Sequence, residues 1–210
     1  GVHYAMGGTA AIGRAMADVI ERQGGLLRFG AEADEIVRDP VTGRAAGVKL
    51  TTGEHVAADI VVSNADAGHT YDRLLRRAPR RRWTPRRLAR SRWSMGLFVW
   101  YFGTRGTRGL WPEAGHHTIV SGPRYEGLVR DIFLAGRLAE DMSLYVHRPS
   151  VTDPTTAPEG GDTFYALSPV PHLGNAPDID WSQAAAPYAE RILESLEKLM
   201  PDLRKHVTVK

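Results

Sequence analysis

Residues 138–174 read LAEDMSLYVHRPSVTDPTTAPEGGDTFYALSPVPHLG, and the order of elements in this stretch decides the fold. Ser143–His147 and Thr163–Leu167 are short runs rich in Val, Leu, Tyr and Phe, which predicts two strands. A segment of prolines and turn formers separates them. Working outward, Ser94–Phe102 and Thr118–Val120 have the same character. Tyr125–Leu134 reads as a helix, and so does Pro187–Met200. In the latter Ala189, Ile192, Leu193, Leu196 and Leu199 form one stripe and Pro187 falls near the first turn. The second half of the chain is therefore expected to be a mixed sheet with helices.

The first half has a different pattern. Ile12, Ala15, Met16, Val19 and Ile20 recur at helical spacing, with Thr9 placed to cap and Gly24-Gly25 to stop, so a helix is expected over about 9–23. Leu26–Phe29 reads as a short buried strand. Between Ala33 and Val62, two turn signals (DPVTG and TTGE) separate period-two apolar runs containing Val48, Leu50, Val56, Ala58, Ile60 and Val62. These predict an antiparallel meander, closed by Ser63-Asn64-Ala65-Asp66. A helical segment with Tyr71, Leu74 and Leu75 follows. Pro79 and Pro85 then divide an arginine-rich stretch into two short pieces, and the domain change is placed near it, giving domains 1–68 and 69–210. The fold class is α/β in the broad sense (α+β).

Composition narrows the function. The chain has 210 residues, no cysteine and a net charge of +3, so thiolate nucleophiles, disulfides and Cys-ligated metals are excluded. No run of about 18 apolar residues exists to span a bilayer. Charge is concentrated instead: Arg73–Arg92 holds ten arginines and no acid, a local field that attracts anions. With Trp83 and Trp93 interleaved, phosphate contact and base stacking are one reading of this stretch. An anionic membrane surface is favoured over nucleic acid, because tryptophan settles at headgroup depth and clustered basic residues add attraction there. Arg80, Arg81, Arg82, Trp83 and Trp93 are the expected membrane contacts.

The catalytic signals are sparse. Gly8-Thr-Ala-Ala-Ile-Gly13-Arg14 imitates a phosphate-binding loop but has Arg14 in place of lysine and Ala15 in place of the magnesium-binding hydroxyl. His116 and His117 are adjacent, so on a strand they would point to opposite faces and fail to chelate one ion; no metal site is expected. Asp178 and Asp180 read as turn and helix-capping residues. No Ser-His-Asp elbow or carboxylate pair is visible.

The segment quoted first resembles the bacterial-type phytoene desaturases, flavin enzymes of carotenoid synthesis. The resemblance continues through HHTIVSGPRYEGLV (116–129), WSMGLFVWYFG (93–103), VVSNADAGHTY (61–71) and GVHYAMGGTAAI (1–12). It implies an internal portion of a longer enzyme, because the family's opening GxGxxG loop and its closing flavin-contacting segment are not found here. Residues 1–68 would be part of a Rossmann-like FAD-binding domain and 69–210 a substrate-binding domain carrying a basic membrane-facing segment near 73–93. FAD would meet the Gly7-Gly8 turn, the backbone of Ala33, and Ser63, Asn64 and Ala65. The substrate implied is a hydrophobic polyene, in a tunnel whose apolar cleft opens toward Gly7-Gly8. Asp141, His147 and Asp153 are the candidates for assisting proton loss. A cytoplasmic, peripherally membrane-associated protein is implied, and oligomeric state is left open. A related carotenoid desaturase or saturase, a flavin amine oxidase, and a non-catalytic lipid- or nucleic-acid-binding module are the competing readings.

Overall fold

The structure, a computed structural model, describes residues 3–80 and 82–209. Its contacts divide into two compact units, Ala17–Arg92 and Gly1–Met16 with Trp93–Lys210. Helix α1 (Thr9–Arg22) realises the expected apolar periodicity and ends at Gly24, which has positive φ.

In the Ala17–Arg92 unit, β1 (Ala33–Arg38), β2 (Ala45–Leu50) and β3 (His55–Ala57) form an antiparallel meander in the order β1-β2-β3. Asp39 makes the first turn by accepting from the Thr42 amide at 2.6 Å. Gly47 allows β2 and β3 to approach, since a Cβ there would stand 2.2 Å from the Val56 carbonyl oxygen. After Ala57 the pairing stops, and Ile60 and Val62 are exposed. Leu26–Phe29 is likewise no buried strand: Leu26 and Phe29 are each 89% exposed. A strand is held by a neighbour's hydrogen bonds, and neither segment has one in the three-stranded sheet.

The arginine stretch folds beside the meander. Helix α2 (Ala67–His69), capped by Asp66, runs into a π turn over Thr70–Leu74. Helix α3 (Pro85–Ala89) starts with Pro85 in its first turn and Thr84 as cap. Arg76 donates to both carboxylate oxygens of Asp34 at 3.0 Å, and Arg77 reaches Glu35 at 3.2 Å.

The other unit is built on five strands: β4 (Gly96–Thr104), β5 (His117–Val120), β6 (Leu144–His147), β7 (Asp162–Val170) and β8 (Val207–Val209). Their order is β5-β6-β7-β4-β8. Every pairing is antiparallel, which corrects the expected mixed sheet; such a sheet can bury one face and leave the other open. On β7 that division is strict: Asp162, Phe164, Ala166, Ser168 and Val170 are buried and the alternate residues are half-buried. Helix α4 (Tyr125–Arg130) continues as a π turn to Ala135. Helix α5 (Trp181–Glu197) begins six residues before Pro187, not at it, because Asp180 accepts from the Ser182 amide as N-cap. Its Tyr188, Ile192, Leu193 and Leu196 join Trp100, Phe102, Leu144, Val146 and Phe164 in one core with Met200 and with Leu203 of α6 (Leu203–His206). Each such side chain contributes about 1.5–3 kcal/mol on burial. No helix among the described residues is long and apolar enough to cross a membrane.

One end of the sheet is closed by a buried ion pair. Arg148 bonds Asp162 at 2.7 Å and donates to the carbonyls of Thr107, Leu110, Trp111 and Ala114, while Ser150 and Thr107 donate to the same carboxylate. Burial alone would raise the Asp162 proton affinity, yet these bonds outweigh it and hold the carboxyl below its ordinary value. Removing one partner leaves a buried charge unpaired. Asp162→Ala is expected to lower stability by about 3–5 kcal/mol, measured by urea denaturation, whereas Glu190→Ala at an exposed pair with Arg204 is expected to change it by under about 1 kcal/mol.

Candidate functional site

The open face of the five-stranded sheet carries a graded set of side chains. Strand register aligns His117, His147, Tyr165 and Tyr101 in one cross-strand row, and Ile119, Tyr145, Leu167 and Val99 in the next. Pro169 and Leu97 pair beyond them. The face therefore passes from imidazoles through aromatic and aliphatic groups to an apolar end. That end opens into a cleft of about 710 Å³ lined by Trp93, Leu97, Phe98, Pro171, Leu173 and Trp181, among others. Trp93 thus belongs to this cleft, in a different compact unit from Arg80, Arg82 and Trp83. The sequence reading named none of the other five. They come from three separated segments, two of which, WSMGLF and SPVPHLG, it had already singled out.

At the opposite end of β7 lies the Gly7-Gly8 bend, both glycines having positive φ (84° and 75°). The cleft therefore does not open toward Gly7-Gly8 as expected; nine residues of strand, about 27 Å at 3.4 Å per step, separate the two ends. The Gly7 amide donates to Asp153 at 2.7 Å, and the other Asp153 oxygen accepts from the amide and hydroxyl of Thr155. The Thr155 hydroxyl and the Gly7 amide hold this carboxyl below its ordinary value. Asp153 is spent on capping and on fixing the bend.

Beside the bend, three histidines meet. His116 lies just before β5, outside the alternation that governs the strand, and its ring comes within 4.4 Å of His117 and 4.8 Å of His147, centroid to centroid. The expectation that neighbouring His116 and His117 diverge is thereby overturned. Nε2 of His116 and of His147 are 2.9 Å apart. Nδ1 of His116 meets the Thr152 hydroxyl and Nδ1 of His117 the Tyr145 hydroxyl, each at 2.5 Å. Nδ1 of His147 and the hydroxyl of Tyr4, whose ring stands edge-on to His116, are buried without hydrogen-bond partners. Burial, reinforced by His116 and His117, lowers the His147 pKa to about 4. Burial also pushes Tyr145 up to about 12. Tyr4, His116 and Tyr145 were not marked as a group in the sequence; the HH pair was the available signal.

Asp141 pairs with Arg124 through one oxygen and buries the other without a partner. It borders a second cleft with Thr118, Arg191 and Lys198.

In the Ala17–Arg92 unit, Ala33 opens β1 at a register shift opposite Leu50. Ser63 shares a hydrogen bond with the Thr70 hydroxyl, which also donates to the Ala65 carbonyl; Asn64 is exposed. Arg80 donates to the Tyr71 carbonyl. Arg82 and Arg87 lie over the Trp83 ring, 5.7 and 4.9 Å from its centroid. Arg81 lies outside the described residues.

A family model described as "Flavin containing amine oxidoreductase" matches residues 1–208. The chain belongs to that family. Within it, the chain is 64% identical over 207 residues to a "Phytoene desaturase (neurosporene-forming)" of Cereibacter sphaeroides, covering 99% of this chain and 40% of that protein. It is 46% identical to a "Phytoene desaturase (lycopene-forming)" of a Paracoccus species, again covering 99% and 40%. It spans about two fifths of the length of the curated relatives it matches. An oxidoreductase crystal structure from Methanosarcina mazei superposes with a TM-score of 0.65 at 20% identity, over 97% of this chain and 41% of that one, a likeness of fold.

The depressed His147 pKa has a consequence for stability. The folded state binds the proton less well than the unfolded chain, so the contribution of neutral His147 is complete above its ordinary value of 6.5 and is lost as pH falls toward about 4. Denaturation midpoints are expected to drop across that window, and His147→Gln to flatten the drop.

Proposed function

We propose that this chain is the substrate-wall part, with a share of the flavin-binding part, of an FAD-dependent desaturase acting on a carotenoid-type polyene. The carrying observation is the open sheet face: an apolar cleft at one end, beside aliphatic and aromatic rows that run from Leu97 to Tyr101 over about 14 Å, a surface for a stretch of an extended hydrocarbon. The similarity to phytoene desaturases supports the substrate class. In this reading residues 1–68, with the meander, supply part of a Rossmann-like flavin domain, and residues 69–210, with the five-stranded sheet, the substrate domain.

The residues offered for FAD fit by being small. Gly7 and Gly8 have a left-handed backbone that L side chains rarely adopt, so nothing projects from the bend. Ala33 and Ala65 add only a methyl, and Ser63 and Asn64 stand at the surface. When bound, FAD supplies the two-electron acceptor for hydride leaving one carbon, while the neighbouring carbon loses a proton and the C–C single bond becomes double. This chain orients the hydrocarbon and keeps water away from it. Asp153 is engaged through both oxygens and His147 shares its Nε2 with His116, which leaves Asp141, with one unpartnered oxygen beside a cleft, as the candidate for taking the proton.

A polyene is nearly insoluble, at roughly 0.8 kcal/mol for each CH2 kept from water, which makes collection from a lipid surface necessary. Arg86, Arg87, Arg90 and Arg92 around Trp83 line a surface recess suited to anionic headgroups, and this basic segment is the proposed docking surface. Arg73, Arg76 and Arg77 are neutralised by Asp72, Asp34 and Glu35.

Three experiments test the reading in the full-length protein. Under anaerobic conditions, phytoene presented in vesicles is expected to bleach the flavin absorbance; no bleaching with any polyene precursor overturns the enzyme reading. Leu97→Asp, at a half-exposed position in the cleft, is expected to cost about 10- to 200-fold in kcat/KM with the melting temperature unchanged. Flotation with anionic vesicles is expected to weaken roughly 100-fold when Arg82, Arg86 and Arg90 become Glu; unchanged flotation rejects the membrane surface.

A further inference from the structure

We infer that His116, His117 and His147 form a site for one divalent transition-metal ion of the Zn2+ class. The inference stands apart from the flavin reading, because it concerns groups that reading leaves unused. Register sets His117 opposite His147, and His116 comes to the same side by leaving the strand. One ring nitrogen from each residue lies within 4.8 Å of the others. Three nitrogens bound at 2.0–2.1 Å around a tetrahedral ion are about 3.3 Å apart, and Nε2 of His116 and His147 are already at 2.9 Å. Binding would part His116 and His147 by a few tenths of an ångström and draw the His117 nitrogen in by up to about 1.5 Å.

The outward nitrogens support the same assignment. Nδ1 of His116 meets the Thr152 hydroxyl and Nδ1 of His117 that of Tyr145; with the hydroxyls accepting, each ring keeps its Nε2 lone pair for an ion. Metal-bound histidines are oriented in this way by their outer partners. Two further buried polar atoms, Tyr4 Oη and His147 Nδ1, lack partners at the same place. The fourth position of a tetrahedral ion, taken by the phenol or by a water bonded to it, would end the isolation of Tyr4. Among the described residues no carboxylate joins this group, and the chain has no thiolate. Three imidazoles favour Zn2+, Cu2+ or Ni2+ over Mg2+ or Ca2+.

The test uses untagged, chelator-stripped full-length protein titrated calorimetrically with Zn2+. One equivalent is expected to bind at micromolar concentration or tighter, Mg2+ is expected not to compete, and the Co2+ form is expected to show the intense d–d absorption of a tetrahedral site. His117 is exposed, so His117→Ala is expected to keep the fold and lose at least about 100-fold in affinity. Tyr145→Phe and Thr152→Val are expected to lose about 10- to 100-fold each while keeping all three ligands. Binding unchanged in His117→Ala, equal binding of Mg2+, or no binding of Zn2+ overturns the site. Flavin content and bleaching of the metal-free protein are read separately, so failure of the metal site leaves the desaturase reading standing, and the reverse.

Discussion

The pairing of β4 with β7 fixes what every other part of the sheet can do. Nine residues on each strand face one another without a register shift, from Gly96 opposite Val170 to Thr104 opposite Asp162. Side chains alternate along a strand, so a slip by one residue would exchange the two faces completely. In the observed register, Phe98, Trp100 and Phe102 meet the helix α5 side while Leu97, Val99 and Tyr101 remain on the open side. The apolar core thereby pins the register, and the register in turn assembles the open face, although no residue of that face is needed for the core.

The two ends of this ladder are held by different means. At the Val170 end the chain turns through Pro171 and Gly174, and the cleft there is apolar. At the Asp162 end, Arg148 and Asp162 are both nearly inaccessible; they share one bond, and backbone carbonyls take most of the other Arg148 donors while Thr107 and Ser150 donate to Asp162. A buried ion pair of this kind is a poor source of net stability, because desolvation consumes most of the attraction. Its effect is positional: five donated bonds from one guanidinium gather the 107–114 loop against β6 and β7. The same burial reaches His147, next in sequence to Arg148, and lowers its proton affinity.

Local signals were legible in the sequence and long-range ones were not. The stripe of α1, the turns of the meander, Asp180 as a cap and the split of the arginine stretch by its prolines are all decided within a few residues. Leu26–Phe29 misled because a β-rich run becomes a strand only when a partner is alongside, and periodicity says nothing of partners. His116 misled for a related reason: the alternation rule was carried one residue past the strand that enforces it. Trp93 was grouped with the arginines by proximity in sequence, yet it packs at the mouth of an apolar cleft whose other wall begins at Val170. Such a cleft is visible only once β4 and β7 are paired. The family resemblance did locate the segments that build it, without saying which side chains face inward.

The contrast between the two ends of the open face bears on why histidines gather at one of them. A hydrocarbon offers no hydrogen bonds, so polar groups beside it must be satisfied by the protein or by something else the protein binds. The aliphatic rows meet this condition by having no polar atoms. The histidine row meets it in part: Thr152 and Tyr145 take two of the six ring nitrogens, and His116 and His147 take two from each other. A buried polar atom left alone costs about 1–3 kcal/mol, and His147 Nδ1 and Tyr4 Oη both carry that cost. Two such atoms at one spot are hard to account for as packing, since a Phe for Tyr4 would remove one of them without changing the shape. A bound ion with its own water would give Tyr4 Oη a partner, while His147 Nδ1, the ring nitrogen turned away from an ion at Nε2, would call for a second water.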